Sequence, residues 1–260
     1  MAAPFPPLVA PAPGSPEDRA VRTAPSRAAQ ARDLEELDAL MVSCRACPRL
    51  VDWREGGAVR LHGDLVPEDF WRRPVPPNGP ADARIVLVGL APGANGSNRT
   101  GRMFTGDPSG DFLHAGLHRA GLANQAASTG YGDGLELLGA RLTCPVRCVP
   151  PANKPSGEEK RACAPFFARE LALLEQARVL IMLGGFAWNA TLAALAAQGF
   201  AVPTPRPKFA HGAEVEIIDE DGRVLRILGL YHPSPQNTYT GKLTPAMLDE
   251  VLARAIVLAG

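Results

Sequence analysis

Five cysteines fall at positions 44, 47, 144, 148 and 163 of the chain. The first two form a Cys-Arg-Ala-Cys pair, and the other three follow about a hundred residues later. Such a pair with two distant cysteines can hold zinc or an iron–sulfur cluster, and thiolate ligands alone do not separate the two. An odd count is unsuited to a disulfide framework, which a chain of this length does not need. The expectation is a metal or cluster site that closes one long loop and leaves one thiol over. A second unusual stretch runs from Gly89-Leu90-Ala91-Pro92-Gly93 to Asn98-Arg99-Thr100-Gly101-Arg102-Met103-Phe104-Thr105-Gly106-Asp107. A glycine-rich loop after a strand can cradle phosphate. This one has neither the Gly-Lys-Ser/Thr ending of a P-loop nor the spaced glycines of a dinucleotide fold. It sets Phe104 beside the carboxylate of Asp107 in a polar surrounding. The third stretch is His232-Pro233-Ser234-Pro235, where a titratable imidazole stands among prolines.

These stretches follow apolar runs of strand length. Ile85–Val88 ends at Gly89, a second run covers 142–149, Val179–Leu183 ends at Gly184-Gly185, and 224–231 ends at His232. Helical patterns separate them. Ser109 is expected to cap a helix with Phe112, Leu113 and Leu117 inward, stopped by Gly121. Ser156 and Glu159 fit a capping box that opens a helix carrying Phe166, Leu171 and Leu174, with Pro165 bending it or marking its true start. Thr244 followed by Pro245 opens the last helix. Upstream, Leu34, Leu37, Leu40 and Met41 recur at helical spacing and run into Cys44, and 52–80 reads as irregular. Residues 214–219 and 223–228, joined by Glu220-Asp221-Gly222, read as a hairpin feeding the last strand. Alternation of buried strands with helices predicts an α/β chain, a three-layer α/β/α sandwich around a four-stranded parallel sheet. Ligands of such sheets bind beyond the carboxyl ends of the strands, where all the unusual loops fall.

Composition narrows the class. With 260 residues, 46% apolar and 21% charged, the chain has room for one good-sized domain with a real core. Lys+Arg and Asp+Glu balance at 27 each, so contact with nucleic acid must come from a local basic face. No apolar run reaches the roughly 20 residues that span a bilayer. Met1 to Pro25 lacks a basic n-region and an apolar h-region, so a cytoplasmic protein is the default and membrane and secreted readings fall away. Residues 1–30, rich in Pro, Ala, Ser and Arg, read as a disordered tail, with 31–260 as one domain.

The string Gly-Leu-Ala-Pro-Gly followed by Asn-Arg-Thr-Gly-Arg-Met-Phe-Thr-Gly-Asp resembles the first motif of the family 5 (type B) uracil-DNA glycosylases, in the uracil-DNA glycosylase superfamily. His232 to Gly241, His-Pro-Ser-Pro-Gln-Asn-Thr-Tyr-Thr-Gly, resembles its last motif, and Cys148 to Pro155 its middle segment. The three matches occur in the family's order across roughly residues 40 to 245. The resemblance implies the uracil-DNA glycosylase fold and a monofunctional hydrolase that removes damaged bases from double-stranded DNA, with single-stranded DNA as a further substrate. It implies a [4Fe–4S] cluster on Cys44, Cys47, Cys148 and Cys163, with the family's fourteen residues between the last two. Cys144 is then the spare thiol. Working as a monomer in the bacterial cytosol suits such an enzyme.

The bond to be broken assigns the remaining roles. Cleavage of C1′–N leaves positive charge on the sugar and negative charge on the base. Phe104 is the natural stacking platform for a flipped base, in a pocket completed by Gly89 and Ala91. His232 faces a base carbonyl, while Asp107 activates water and stabilises the sugar cation. As an ordinary helix cap Asp107 would contribute about 1 kcal/mol, and the two roles are compatible. Asn153 is a second candidate for positioning water or base. Arg99, Arg102, Lys154 and Lys242 are expected on one basic face, with Gln236 and Asn237 in a loop that enters the minor groove. Aligned through Cys148, Cys144 occupies the place of an asparagine that reads the base edge in family 4. With Ala91 also apolar, the pocket is expected to release hypoxanthine, xanthine and ethenocytosine as well as uracil. The competing readings are a non-catalytic iron–sulfur or zinc nucleic-acid-binding module on the same fold and a nucleotide-binding enzyme using the glycine-rich loop.

Overall fold

Ile85–Val88 (β1) is four apolar residues buried on both faces, which only a strand at the centre of a covered sheet can be. It pairs in parallel with Ala140–Thr143 (β2) on one side and with Val179–Leu183 (β3) on the other. β3 pairs in parallel with Val224–Leu230 (β5), whose outer edge takes Glu214–Ile218 (β4) antiparallel. The order is β2-β1-β3-β5-β4. The four parallel strands are those the sequence predicts, and the first arm of the expected hairpin adds a fifth, antiparallel edge strand. The computed structural model describes residues 5–59 and 66–260.

Alternate strand residues serve opposite layers. Ile85, Leu87, Leu142, Ile181 and Leu228 face Leu113 and Leu117 of one helix and Leu248, Val251 and Leu252 of another. Val86, Val88, Leu180, Met182 and Ile227 face Leu37, Met41, Phe166, Leu171, Trp188 and Leu192. Each such side chain fully buried stabilises the fold by about 1.5–3 kcal/mol, so two closed cores hold the sheet rigid between them. The helices in chain order are Pro16–Arg22 (α1), Ala24–Arg27 (α2), Leu34–Val42 (α3), Pro48–Asp52 (α4), Ser97–Thr100 (α5), Pro108–Arg119 (α6), Gly157–Leu173 (α7), Gly185–Ala196 (α8), Pro235–Thr238 (α9) and Pro245–Ala259 (α10). Among the described residues no helix is long and apolar enough to cross a membrane.

Three expectations need correction. The 1–30 segment is folded from Pro16: α1 and α2 lead into a short turn, and Ala24, Ala28 and Ala31 are buried against α3 and α7. Composition misleads there because alanine, a helix former with a small side chain, allows close packing without large apolar residues. β2 stops at Thr143 instead of running to 149, since Pro145 has no N–H for the ladder. The cap of α6 is Asp107, two residues before Ser109. The Ser156–Glu159 capping box and the Thr244 cap stand where expected. α7 runs unbroken through Pro165.

Candidate active site

The loops beyond the carboxyl ends of β1, β2 and β5 close around one cleft of about 430 Å³. Phe104, Asp107, Asn153 and His232 line it together, with Gly89, Ala91 and Gln236. Strain marks its walls. Phe104 (φ 56°), Ala152 (φ 52°) and Asn153 (φ 55°) adopt left-handed backbone, a conformation costing about 1–3 kcal/mol for a non-glycine residue and kept only where its surroundings enforce it. Ser97 supplies part of that enforcement, its Oγ accepting the Phe104 N–H at 3.1 Å. Gly89 supplies another part, because a Cβ there would lie 2.7 Å from the Phe104 ring.

Asp107 divides its carboxylate. Oδ1 accepts the N–H groups of Ser109 and Gly110, each at 3.0 Å, and so caps α6. Oδ2 takes no hydrogen bond from any described residue. A Cβ on Gly96 would collide with it, so the glycine loop clears its space. The His232 ring lies 6.2 Å from that of Phe104, tilted by 37°. Burial pushes His232 down to about 4, so the imidazole is neutral at pH 7, with one nitrogen to donate and one to accept. No described residue hydrogen-bonds the ring. Asn237 Nδ2 donates to the His232 carbonyl at 2.8 Å and fixes the strand end. The inner wall carries sulfur: Cys144 Sγ donates to the Val146 carbonyl at 3.0 Å and lies 3.4 Å from Met103 Sδ. Burial pushes the Cys144 thiol up to about 12, so it is an uncharged, inert wall of the pocket.

The other four cysteines meet elsewhere. Cys44 follows α3, Cys47 caps α4, Cys148 lies beyond β2, and Cys163 sits in α7. All four line one cavity with Met41, Leu50, Val51, Arg54 and Phe166. Among the described residues no three His, Cys, Asp or Glu side chains converge tightly enough to hold a metal ion. The donor set nonetheless suits a larger thiolate-bound group. Burial pushes Cys44 up to about 12 and Cys47 up to about 11, so both are neutral thiols at pH 7 and would release protons on binding a metal group. Arg54, 2% exposed, supplies a countercharge, its Nη1 3.1 Å from Cys148 Sγ. Glu55 is shared between Arg54 and Arg45, which leaves one of two guanidinium charges unbalanced beside the thiols.

The family profile described as the Uracil DNA glycosylase superfamily matches residues 76–255. The chain is 49% identical over 226 residues to the type-5 uracil-DNA glycosylase of Mycobacterium tuberculosis, covering 86% of this chain and 81% of the relative. It is 49% identical over 228 residues to that of Thermus thermophilus, covering 88% and 99%. The Mycobacterium leprae protein of the same name is 47% identical over 231 residues, covering 88% and 97%. The chain belongs to the uracil-DNA glycosylase superfamily.

Within this superfamily member the expected basic face is only partly assembled. Lys154 and Lys242 are exposed, Lys242 Nζ lying 4.8 Å from the centre of the Tyr231 ring. Arg99 is half-buried, its Nε donating to the Asn95 carbonyl at 3.1 Å. Arg102 turns away from solvent, pairing with Asp133 at 3.4 Å and donating to the Leu135 carbonyl at 3.1 Å. It braces the loop instead of standing on the face. The Asn237 amide is likewise engaged within its own turn. Ser97, Met103 and Arg54 were not singled out from sequence. The first two lie inside the motif string, where position gave the signal; Arg54 has no local pattern, and only the fold brings it to the cysteines.

Proposed function

We propose that this protein is a monofunctional uracil-DNA glycosylase that flips its target nucleotide from double-stranded DNA, and also acts on single strands, leaving an abasic site. The observation carrying this reading is the convergence of Phe104, Asp107, Asn153 and His232, from three loops far apart in sequence, on one cleft. A base must leave the stack to reach such a site. Phe104 then stacks on one face of the base, and neutral His232 donates its N–H to a carbonyl oxygen as negative charge builds there. Asp107 Oδ2 faces the sugar. Two unit charges 4 Å apart attract by about 4 kcal/mol at an effective dielectric of 20, close to three orders of magnitude in rate. Water adds its hydroxide to C1′ and its proton goes to the departing base, with the Asn153 amide orienting the water. The cleft lining carries no lysine, which argues against a Schiff base and strand cleavage.

The pocket's sulfur wall carries no base-edge reader, so hypoxanthine, xanthine and ethenocytosine are substrates besides uracil. Buried polar readers reject analogues that leave them unpaired, and a thiol bonded to Val146 does not. A [4Fe–4S] cluster on Cys44, Cys47, Cys148 and Cys163, which line one cavity, would tie α3 and α4 to the body of the domain. The enzyme is read as a monomer working on the chromosome in the bacterial cytoplasm. Incubating the protein with labelled duplexes bearing each lesion, then treating with alkali, tests the reading. Cleavage at uracil only after alkali is expected; cleavage without alkali, or none at all, would contradict it.

A further inference from the structure

The cysteine cavity and the cleft share no lining residue. One run of buried and partly buried hydrogen bonds nevertheless joins them. Arg54 Nη1 donates to Cys148 Sγ and to the Cys44 carbonyl, each at 3.1 Å. The carbonyl of Arg54 in turn accepts Asn98 Nδ2 at 3.1 Å. Asn98 is fully buried, and its neighbour Ser97 holds the strained Phe104 backbone through Oγ. We propose that Arg54 is a positioning residue for base excision, fastening the loop that carries Phe104 to the cysteine centre. The inference rests on Phe104 as the stacking platform and on a thiolate-bound cluster in the cysteine cavity.

A left-handed phenylalanine does not hold itself in place, and Ser97 is only as fixed as the turn it sits in. Asn98 anchors that turn through a single side-chain bond, since its Oδ1 has no partner among the described residues. At the other end, Glu55 answers only one of the two arginines it touches, and buried charge without a partner is strongly destabilising. Thiolates around a cluster are the anions that keep Arg54 seated. Its seat fixes its own carbonyl, the carbonyl fixes Asn98, and Asn98 fixes the wall against which the base stacks. A displacement of about 1 Å at such a wall costs on the order of a hundredfold in rate.

The test uses the full-length protein purified with its iron. Measured together are the visible band near 400 nm, the midpoint potential, and single-turnover rate and KM on a uracil duplex. Asn98→Leu breaks the chain on the cleft side. It should keep iron, band and potential while the saturating rate falls at least tenfold and KM stays within threefold of wild type. Arg54→Lys keeps the charge but not both acceptors, so it should lower both the midpoint potential, by loss of a donor to Cys148 Sγ, and the rate. Arg54→Met should do the same more severely, and if it fails to fold the lysine variant carries the test. Rates within twofold of wild type in folded Asn98→Leu and Arg54→Lys would overturn the proposal. So would loss of rate in Arg54→Lys with an unchanged potential. Wild-type protein lacking iron and the visible band would instead overturn the cluster reading, and Asn98→Leu alone would then decide whether the loop depends on this chain.

Discussion

At the scale of single residues, the cleft separates charge from neutrality. Asp107 keeps one oxygen in the helix cap and leaves the other without a hydrogen bond from any described residue, so Asp107→Asn should retain most of the cap and lose the anion. Asp107→Ala should lower the single-turnover rate by about three orders of magnitude, the Coulomb figure above, while Kd for duplex changes little. Rates within about threefold of wild type would remove Asp107 from its role. His232 makes a separate prediction through pH. Burial holds its protonation near 4, well below the ordinary histidine value of 6.5. The neutral donor is therefore present throughout the range above 5. The single-turnover rate should show no acid limb between pH 8 and 5.5, and an inflection near 6.5 would contradict a neutral, half-buried His232. The linked stability has the matching sign: a depressed histidine contributes fully above 6.5 and loses that contribution as pH falls toward 4. The proposed role of Cys144 is in choice instead of rate. Cys144→Asn places an amide at the pocket wall that can pair with uracil's carbonyl and N–H together. It should reduce release of hypoxanthine and ethenocytosine relative to uracil by tenfold or more, read from a lesion panel at single turnover. Equal loss on all lesions would mean the residue only packs.

At the scale of elements, the cysteines lie on segments far apart in the chain that pack together in the fold. Cys44 and Cys47 flank the break between α3 and α4, while Cys163 sits in α7, more than a hundred residues away in the chain. Cys47→Ala or Cys163→Ala should cost the visible chromophore and soluble yield together, checked by absorbance near 400 nm and iron content, since a cluster's binding energy is here also folding energy. A full chromophore in either variant would refute the ligand set. What the sequence revealed of these elements followed from how local their signals are. β1 and β3 were legible to the residue because four or five consecutive apolar side chains between turn formers have few other fates. β2 was overextended because Cys144-Pro145-Val146 continues the apolar pattern while Pro145 ends the hydrogen-bonding one. The α1–α2 segment was missed because burial of Ala24 and Ala28 depends on the helices they touch, which composition does not record. The cleft was legible through its motif strings, and Arg102 was misplaced because a string gives order and not the direction of a side chain. Arg54 lay beyond any motif.

At the scale of the whole molecule, the balance of 27 acidic and 27 basic residues removes long-range attraction to DNA and leaves a small local contact. Of the cations expected on the basic face, those left for phosphate among the described residues are Lys154, Lys242 and the half-buried Arg99, since Arg102 is spent on Asp133. Each phosphate neutralised in duplex DNA contributes about −0.9 to the slope of log K against log salt. About three contacts therefore predict a slope near −3, shallow for a DNA-binding protein. Lys154→Ala should reduce that slope by about one and weaken damaged and undamaged duplexes alike, because a phosphate contact carries no information about the base. The measurement is fluorescence anisotropy of catalytically inactive Asp107→Asn on a uracil duplex across a salt series. A slope steeper than about −6 would mean that a second basic surface, away from the cleft, carries most of the attraction. A slope unchanged by Lys154→Ala would mean that this exposed lysine points at solvent in the complex too. A shallow slope has a functional reading: discrimination falls to the flipped base and the Phe104–His232 pocket, and an enzyme held lightly by the backbone can leave undamaged DNA quickly.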